Sequence, residues 1–369
     1  MAAISTVVQV CCAHLDGAKP ENPVNLDMFG GYFETWRLLD ALHNSVLHVR
    51  YHADNEALAK RVAKGETDAV VIEPVAYDWD MAVFDADALR TAWAAAGERH
   101  PRVVIVDNSL TAHTLTPEDL VPVFGDRPPW LVVFVRSGLK LDQQGLELSN
   151  VGVVNLYLPG GASRRIHKES LKQKLTVNRA VTGGSLTVNQ TAALEAPWFL
   201  KTGDLAAYAA RVFDNNRRLA AEVCNTGGIF SRINHPVLEG GAVAWAAAPF
   251  VVFHLSEDSQ VRHGKLVAIL VHEAARRDIP LTLGSSFGFR GHRFEVIRPQ
   301  VQIRAQEEKT GLLKVAMGFR QGPSLLAVIA LLNDIAAYPD WHSLIAAYDH
   351  VKAYVKGGFG VYVERPPRS

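Results

Sequence analysis

Short apolar runs alternate with amphipathic stretches along the first 160 residues of the chain. The runs are rich in valine and isoleucine and lie at residues 46–51, 69–73, 103–107, 131–135 and 151–156. Such short, nearly continuous apolar runs are typical of strands that are buried on both faces. Helical patterns fill the gaps between several of them, at residues 32–42, 55–63 and 86–96. The alternation predicts an α/β fold with a mostly parallel sheet.

The pattern changes beyond residue 160. A polar stretch bounded by glycine pairs, residues 161–184, is followed by a long helical stretch at residues 205–223. The remainder predicts a smaller α/β unit, with strands at 251–255, 281–283 and 312–316 and helices at 265–277 and 324–337. Because 369 residues suit two domains, we expect a large domain at residues 1–215 and a smaller C-terminal domain at residues 216–369.

Composition narrows the functional classes. The chain has 38 basic and 38 acidic residues, and this zero net charge argues against a nucleic-acid partner. The longest apolar runs, such as residues 131–135, are too short to span a bilayer. Three cysteines, Cys11, Cys12 and Cys224, cannot form a disulfide framework. We therefore expect a reduced, cytoplasmic protein with no membrane partner.

The histidines do not predict a metal site. His272-Glu273 begins a pattern that zinc proteases share, but Arg276 stands where the second histidine ligand would be required. His113 and His292 have no partner at ligand spacing.

Two residues that follow neighbouring strands form the strongest candidate pair. Asp107 ends the run at residues 103–107, and Lys140 lies just past the run at residues 131–135. The carboxyl ends of parallel strands meet at one edge of a sheet, where ligands bind. Pyridoxal phosphate chemistry needs such a pair, because a lysine amine forms a Schiff base and a carboxylate holds the protonated pyridine nitrogen. In the alternative interpretation, Asp107 is only a cap and Lys140 is only a solvated lysine.

Six segments match, in order, the motifs of one enzyme family. They are Met1-Ala2-Ala3-Ile4-Ser5-Thr6, Phe29-Gly30-Gly31, Val104-Ile105-Val106-Asp107-Asn108, Ser137-Gly138-Leu139-Lys140, Gly284-Ser285-Ser286-Phe287-Gly288 and the run from Leu312 to Gly318. Over essentially its whole length the chain resembles the Cys/Met-metabolism enzymes, such as cystathionine γ-synthase and γ-lyase. The resemblance implies the aspartate aminotransferase fold type I and pyridoxal phosphate as cofactor. It also implies a homodimer or homotetramer.

The resemblance implies a lyase or transferase that performs β- or γ-elimination or substitution on an amino acid. Lys140 would form the Schiff base and move the proton at Cα, and Asp107 would hold the pyridine nitrogen. Ser137 would contact the phosphate, and the ring of Phe29 would stack on the cofactor. Tyr77 takes the place of an asparagine that the family has near the cofactor.

The resemblance also implies a position for the substrate carboxylate. Ser286 and Lys314 lie where the family binds it, and Arg293 is an alternative cation. Several substitutions weaken the assignment of activity, because Phe29 lacks the hydroxyl of the family tyrosine and Lys314 lacks the planar fork of an arginine. A protein of this fold with a decayed catalytic set, and therefore no enzyme, is the leading alternative.

The first residues depart from the family in another way. Residues 1–13 are apolar nearly all round and predict a buried helix that starts at residue 1. The family places a Ser-Gly pair and an N-terminal arm before this helix. We therefore expect the arm to be missing from the sequence, either through a misassigned start or through a true loss.

A second resemblance is weaker. Ser137-x-x-Lys140 and Lys309-Thr310-Gly311 are similar to motifs of the penicillin-binding and β-lactamase serine enzymes. Those enzymes need a Ser-x-Asn or Tyr-x-Asn element between the two motifs, and the sequence has none. A serine acyl-enzyme is the least favoured alternative.

Overall fold

A computed structural model describes residues 1–13, 19–159, 166–195, 201–239, 243–299, 309–357 and 361–364. Its helices are α1 (Ala2–Ala13), α2 (Phe33–Leu42), α3 (Asn55–Ala63), α4 (Ala86–Ala96), α5 (Pro117–Phe124), α6 (Lys168–Val181), α7 (Val188–Leu194), α8 (Thr202–Glu222), α9 (Gln260–Arg276), α10 (Pro323–Ala336) and α11 (Trp341–Ala347). Its strands are β1 (Val24–Phe29), β2 (Leu47–His52), β3 (Ala69–Ile72), β4 (Val103–Asp107), β5 (Leu131–Ser137), β6 (Gly152–Tyr157), β7 (Phe230–Asn234), β8 (Val251–Leu255), β9 (Leu281–Leu283), β10 (His292–Ile297), β11 (Leu312–Ala316), β12 (Val355–Lys356) and β13 (Tyr362–Val363).

Strands β1 to β6 form one sheet in the order β2-β1-β3-β4-β5-β6. The pairs from β2 to β5 are parallel, and β6 joins β5 in the antiparallel direction. Every residue of β3 and β4 is buried, as expected for central strands covered on both faces. The predicted mostly parallel sheet is confirmed.

Strand β1 is an element that the apolar runs do not predict. Asp27 interrupts its apolar run, yet the side chain is fully buried. Its carboxylate accepts hydrogen bonds from the Thr67 hydroxyl and the Arg61 guanidinium, and it contacts the His52 ring at 2.6 Å. A buried carboxylate with these partners is tolerated in a central strand. Because Asp27 interrupts the apolar run, the sequence pattern does not predict β1, which lies between β2 and β3.

Strands β7 to β11 form a second sheet in the order β7-β8-β11-β10-β9. Helices α9 and α10 pack on it around an apolar core that includes Phe253, Leu266, Phe294, Val315 and Leu332. This is the smaller C-terminal α/β unit of the sequence prediction. Helix α8 covers residues on both sides of the predicted boundary at residue 215, and the division into two domains stays a prediction.

Two helices at the carboxyl edge of the first sheet shape the site. The predicted helix at residues 1–13 is α1, and its residues Val7 and Val8 are fully buried. The polar stretch after residue 160 contains α6, which packs on α1 through Leu171 and Leu175. These two leucines are four residues apart, and one narrow apolar stripe in a polar helix gives a weak sequence signal. Among the described helices, none is both long and apolar enough to cross a membrane.

Candidate active site

A cavity of about 730 Å³ lies at the carboxyl edge of the six-stranded sheet. Its floor comes from the residues that follow β3, β4 and β5. One wall is formed by the first residues of α1 and one face of α6, and another by residues 286–287 of the C-terminal unit. The structure brings five of the predicted site residues to this cavity, namely Tyr77, Asp107, Ser137, Lys140 and Ser286.

Asp107 is a buried acid at the centre of the floor. It is the last residue of β4 and is 4% exposed. Its Oδ1 accepts a hydrogen bond from the backbone N–H of Ser109 at 2.9 Å. Burial raises its pKa, while the Ser109 hydrogen bonds and the charge of Lys140 oppose the rise. The carboxylate is therefore suited to a cationic partner in the cavity.

Lys140 lies in the same cavity, three residues past the end of β5. Its Nζ sits 4.6 Å from the ring centroid of Phe287. Among the described residues its ammonium group has neither a hydrogen bond nor an ion pair. Burial lowers its pKa, as does the charge of Lys314, while Asp107 raises it. A lysine with a lowered pKa carries more of the neutral amine that acts as a nucleophile.

Glu73 is a third buried acid on the floor, and the sequence analysis assigned it no role. Its carboxylate accepts hydrogen bonds from the backbone N–H groups of Gly31, Tyr32 and Tyr77. Burial, together with the charge of Asp107, raises its pKa to about 8. Glu73 thereby ties the loop after β1 to the loop after β3.

The glycine after β1 is required by this arrangement. Gly30 has φ +149°, and a Cβ atom there would lie 2.5 Å from the side-chain Cδ of Glu73. A larger residue would displace either the loop or Glu73.

Phe29 does not reach the cavity. It is fully buried within the sheet core, where its ring centroid lies 6.2 Å from that of Phe84. Successive side chains of a strand point to opposite faces, and β1 directs Phe29 away from the cavity edge. The ring that the sequence assigned to cofactor stacking therefore belongs to the core.

Tyr32 and Tyr77 provide aromatic rings at the cavity wall instead. Their ring centroids lie 5.5 Å apart in an edge-to-face arrangement. The Tyr32 hydroxyl donates a hydrogen bond to Glu34 at 2.9 Å, and Glu34 also lines the cavity. Burial raises the pKa of Tyr32 far above its usual range, so that its hydroxyl keeps its proton. The cavity thus has the aromatic hydroxyl that Phe29 cannot supply.

Lys314 lies behind the wall rather than at its surface. Its side chain is 1% exposed and pairs with Glu295, and Nζ donates to the Tyr77 hydroxyl at 3.3 Å. Burial lowers its pKa, and Glu295 opposes that effect. Lys314 does not line the cavity, so in this structure a ligand in the cavity would not make the direct contact with it that the predicted role at the substrate carboxylate requires.

Arg293 also lies outside the cavity lining. Its guanidinium donates to Glu147 at 3.1 Å and stacks 3.8 Å above the ring of Phe289. These partners hold its guanidinium outside the cavity, so the structure does not place Arg293 as the alternative cation for a substrate carboxylate.

The α6 wall carries free positive charge. Lys172 and Arg179 line the cavity seven residues apart, on the same face of α6. Both are exposed, and neither has an ion pair within the described part of the chain. They face the first turn of α1, whose backbone N–H groups have no acceptor within the helix. This end of the cavity therefore attracts an anion.

The other site types that the sequence raised find no support. No group of three or more histidine, cysteine or acidic residues converges within the described residues. Thr310 donates its hydroxyl to Asp258, and residues 309–311 are not part of the cavity lining that holds Ser137 and Lys140. The two halves of the serine-enzyme motif are thus kept apart.

Several solved structures share this architecture. A methionine gamma lyase from Micromonospora echinospora is 17% identical, with a TM-score of 0.61 over 91% of this chain and 80% of that chain. Yeast cystathionine gamma-lyase is 16% identical, with a TM-score of 0.63 and the same coverage. Cystathionine gamma synthase from Xanthomonas oryzae pv. oryzae, in complex with aminoacrylate and cysteine, is 19% identical, with a TM-score of 0.61 over 90% of this chain and 80% of that chain.

This chain has their fold. The fold that the sequence resemblance implied is thereby confirmed. No protein-family model and no curated protein sequence matches the chain.

The sequence patterns do not identify Tyr32 or Glu295, and they mark Glu73 only as the residue that ends the predicted strand at 69–73, without a role. Glu73 stands one residue beyond β3 and Tyr32 three residues beyond β1, at the sheet edge where ligands bind, and the rule that points to Glu73 could also have found Tyr32. Glu295 had no such signal, because it lies within β10 and meets Lys314 only through the pairing of β10 with β11.

Proposed function

We propose that the chain binds pyridoxal phosphate at Lys140 and catalyses β- or γ-elimination or substitution on an amino compound. The observation that carries the proposal is an unpaired lysine beside a buried acid in one cavity. The neighbours of the same fold are named as gamma-lyases and gamma-synthases, and amino acids are the substrate class that they suggest.

The residues present fit the cofactor. Asp107 is buried with one side open to the cavity, and it needs a cationic partner such as a protonated pyridine nitrogen. Lys140 is close enough to interact electrostatically with Asp107 and would hold the aldehyde carbon. Ser137, the first turn of α1 and the cations Lys172 and Arg179 would hold the phosphate. Pyridoxal phosphate bound there would supply a sink for the electron pair released at Cα.

The chain's own residues would handle the protons. The neutral amine of Lys140 would take the proton from Cα, and burial favours that neutral form by lowering its pKa. Tyr32 would offer its hydroxyl proton to a leaving group in place of Glu34, which accepts that hydrogen bond in the structure. The side chains of Tyr77 and Phe287 would exclude water from Lys140. This set of groups argues against the decayed, non-catalytic alternative.

Exchange of the Cα proton tests the proposal. The protein is loaded with pyridoxal phosphate and incubated in D₂O with a panel of amino acids and their decarboxylated amines. We expect loss of the Cα–H signal in NMR spectra for at least one compound, and none with Lys140→Ala. A loaded protein that exchanges no compound in the panel would contradict catalysis and favour the decayed alternative.

Two further expectations stay predictions. The resemblance implies a homodimer or homotetramer, and the composition suggests a cytoplasmic location.

A further inference from the structure

A buried ion pair lies directly behind the cavity wall. Lys314 and Glu295 face each other across the antiparallel pairing of β11 and β10. Their side chains are 1% and 19% exposed, and the Lys314 ammonium contacts the Glu295 carboxylate. Because both residues sit in register within a sheet, the pair is held in place by the backbone rather than by a loop.

Glu295 also binds the wall itself. Its Oε1 accepts a hydrogen bond from the backbone N–H of Ser286 at 3.2 Å. Ser286 has φ +74°, a conformation that a serine rarely adopts, and it lines the cavity beside Phe287. An ammonium group and a backbone N–H thus converge on one carboxylate at the edge of the cavity. This is a carboxylate-binding site that the chain fills with its own side chain.

Apart from the α-ammonium group of Met1, which acts on Asp107 from the α1 wall, the described residues around Lys140 offer no free replacement cation. Lys140 would bind the cofactor, and the charges that act on it besides Asp107 and Lys314 are those of the acids Glu34 and Glu147. Arg136 lines the cavity but donates to Asp142 at 2.7 Å. The unpaired cations Lys172 and Arg179 belong to the α6 wall, where the cofactor phosphate would take them.

We propose that Glu295 excludes an α-carboxylate from the site, so that the chain prefers amines to the corresponding α-amino acids. The proposal rests on the proposed cofactor at Lys140. Glu295 already neutralises Lys314, so an α-carboxylate at this wall would lose water without gaining a free cation, and an unpaired charge in a partly buried site is costly. The aromatic wall of Tyr77 and Phe287 suits the apolar chain of such an amine.

A matched pair of ligands tests the proposal. Methionine and 3-(methylthio)propylamine differ only by the α-carboxylate. Each is titrated into the loaded wild-type protein, and the change in cofactor absorption gives an apparent Kd without turnover. We expect the amine to bind at least about tenfold more tightly than methionine.

Glu295→Gln tests the residue. The amide keeps the size of the side chain but removes the negative charge that neutralises Lys314. The preference for the amine should therefore shrink by about tenfold or more. Glu257→Gln is the control. Glu257 forms an exposed ion pair with Arg262 far from the cavity, and this variant should keep the wild-type preference.

The outcomes separate the two proposals. Equal or tighter binding of methionine by the loaded wild type would overturn this inference and leave the proposed cofactor standing. An amine preference that persists in a folded Glu295→Gln variant would overturn the role of Glu295. A wild-type protein that shows no cofactor absorption would overturn the proposed function and this inference together. The wild-type comparison decides the ligand preference even where Glu295→Gln does not fold.

Discussion

Asp107 and Lys140 act on each other's protonation. Burial raises the pKa of the acid and lowers that of the amine, while their opposite charges counter both effects. The lowered pKa favours the neutral, nucleophilic form of the amine, and the buried carboxylate gains from a cationic partner. Their positions could be predicted from the sequence because each follows a strand of the parallel sheet. Phe29 and Lys314 could not, because the direction of a side chain depends on strand register and packing.

Asp107→Asn isolates the role of the carboxylate. The variant should still attach pyridoxal phosphate to Lys140, because the amine remains. Without a charge to hold the ring nitrogen proton, Cα exchange should fall by roughly 10²-fold or more. The measurement is the NMR exchange rate of the loaded variant. Asp87→Asn, which breaks an exposed ion pair with Arg90, should exchange at the wild-type rate, and an equal loss there would contradict the assignment.

The helices and strands show where sequence patterns succeed. Strands β3, β4 and β5 and helix α3 match their predicted bounds closely because their apolar spacing is regular and Asp54 caps α3. The patterns do not predict β1, because the charged Asp27 interrupts its apolar run. They do not predict α6, because few of its residues are buried. Helix α9 contains another buried charge. The side chain of Glu273 is 3% exposed, and its carboxylate forms ion pairs with both Arg276 and Arg277.

Glu273→Gln should destabilise the fold in a pH-dependent way. The arginines lower the pKa of Glu273 to about 2 in the folded chain, below its value in an unfolded chain. Its stabilisation is therefore fully present above an unfolded pKa of about 4.3 and is lost as the pH falls toward 2.

Denaturant unfolding of both proteins checks this prediction. At pH 7 the variant should lose about 1–3 kcal/mol, a range typical of hydrogen bonds to charged groups. The difference should shrink as the pH is lowered from 5. Glu257→Gln, at the exposed pair before the same helix, should lose less than about 1 kcal/mol. A loss for Glu273→Gln that does not change with pH would show that the carboxylate charge is not responsible.

At the scale of the whole molecule, the cavity gathers segments that lie far apart in the sequence. The start of α1, the ends of β3 to β5, one face of α6 and residues 286–287 all meet there. The end of the cavity that α6 lines carries the cations Lys172 and Arg179. The opposite end carries the aromatic rings of Tyr77 and Phe287 and the acid Glu34. The sequence resemblance predicted the fold and the position of Lys140 in it, but not this polarity, because Glu34 and Arg179 belong to no motif. In the proposed function this polarity would orient the cofactor, with its phosphate at the α6 end and its aldehyde carbon at Lys140.

Covalent attachment of pyridoxal phosphate to Lys140 tests the central claim most directly. The purified protein and its Lys140→Ala variant are incubated with the cofactor, scanned for visible absorption, reduced with borohydride and digested for mass spectrometry. We predict a visible band for the wild type and a pyridoxyl label on the peptide that contains Lys140, with neither in the variant. A wild type that takes up no cofactor, or a variant labelled as strongly as the wild type, would contradict the account.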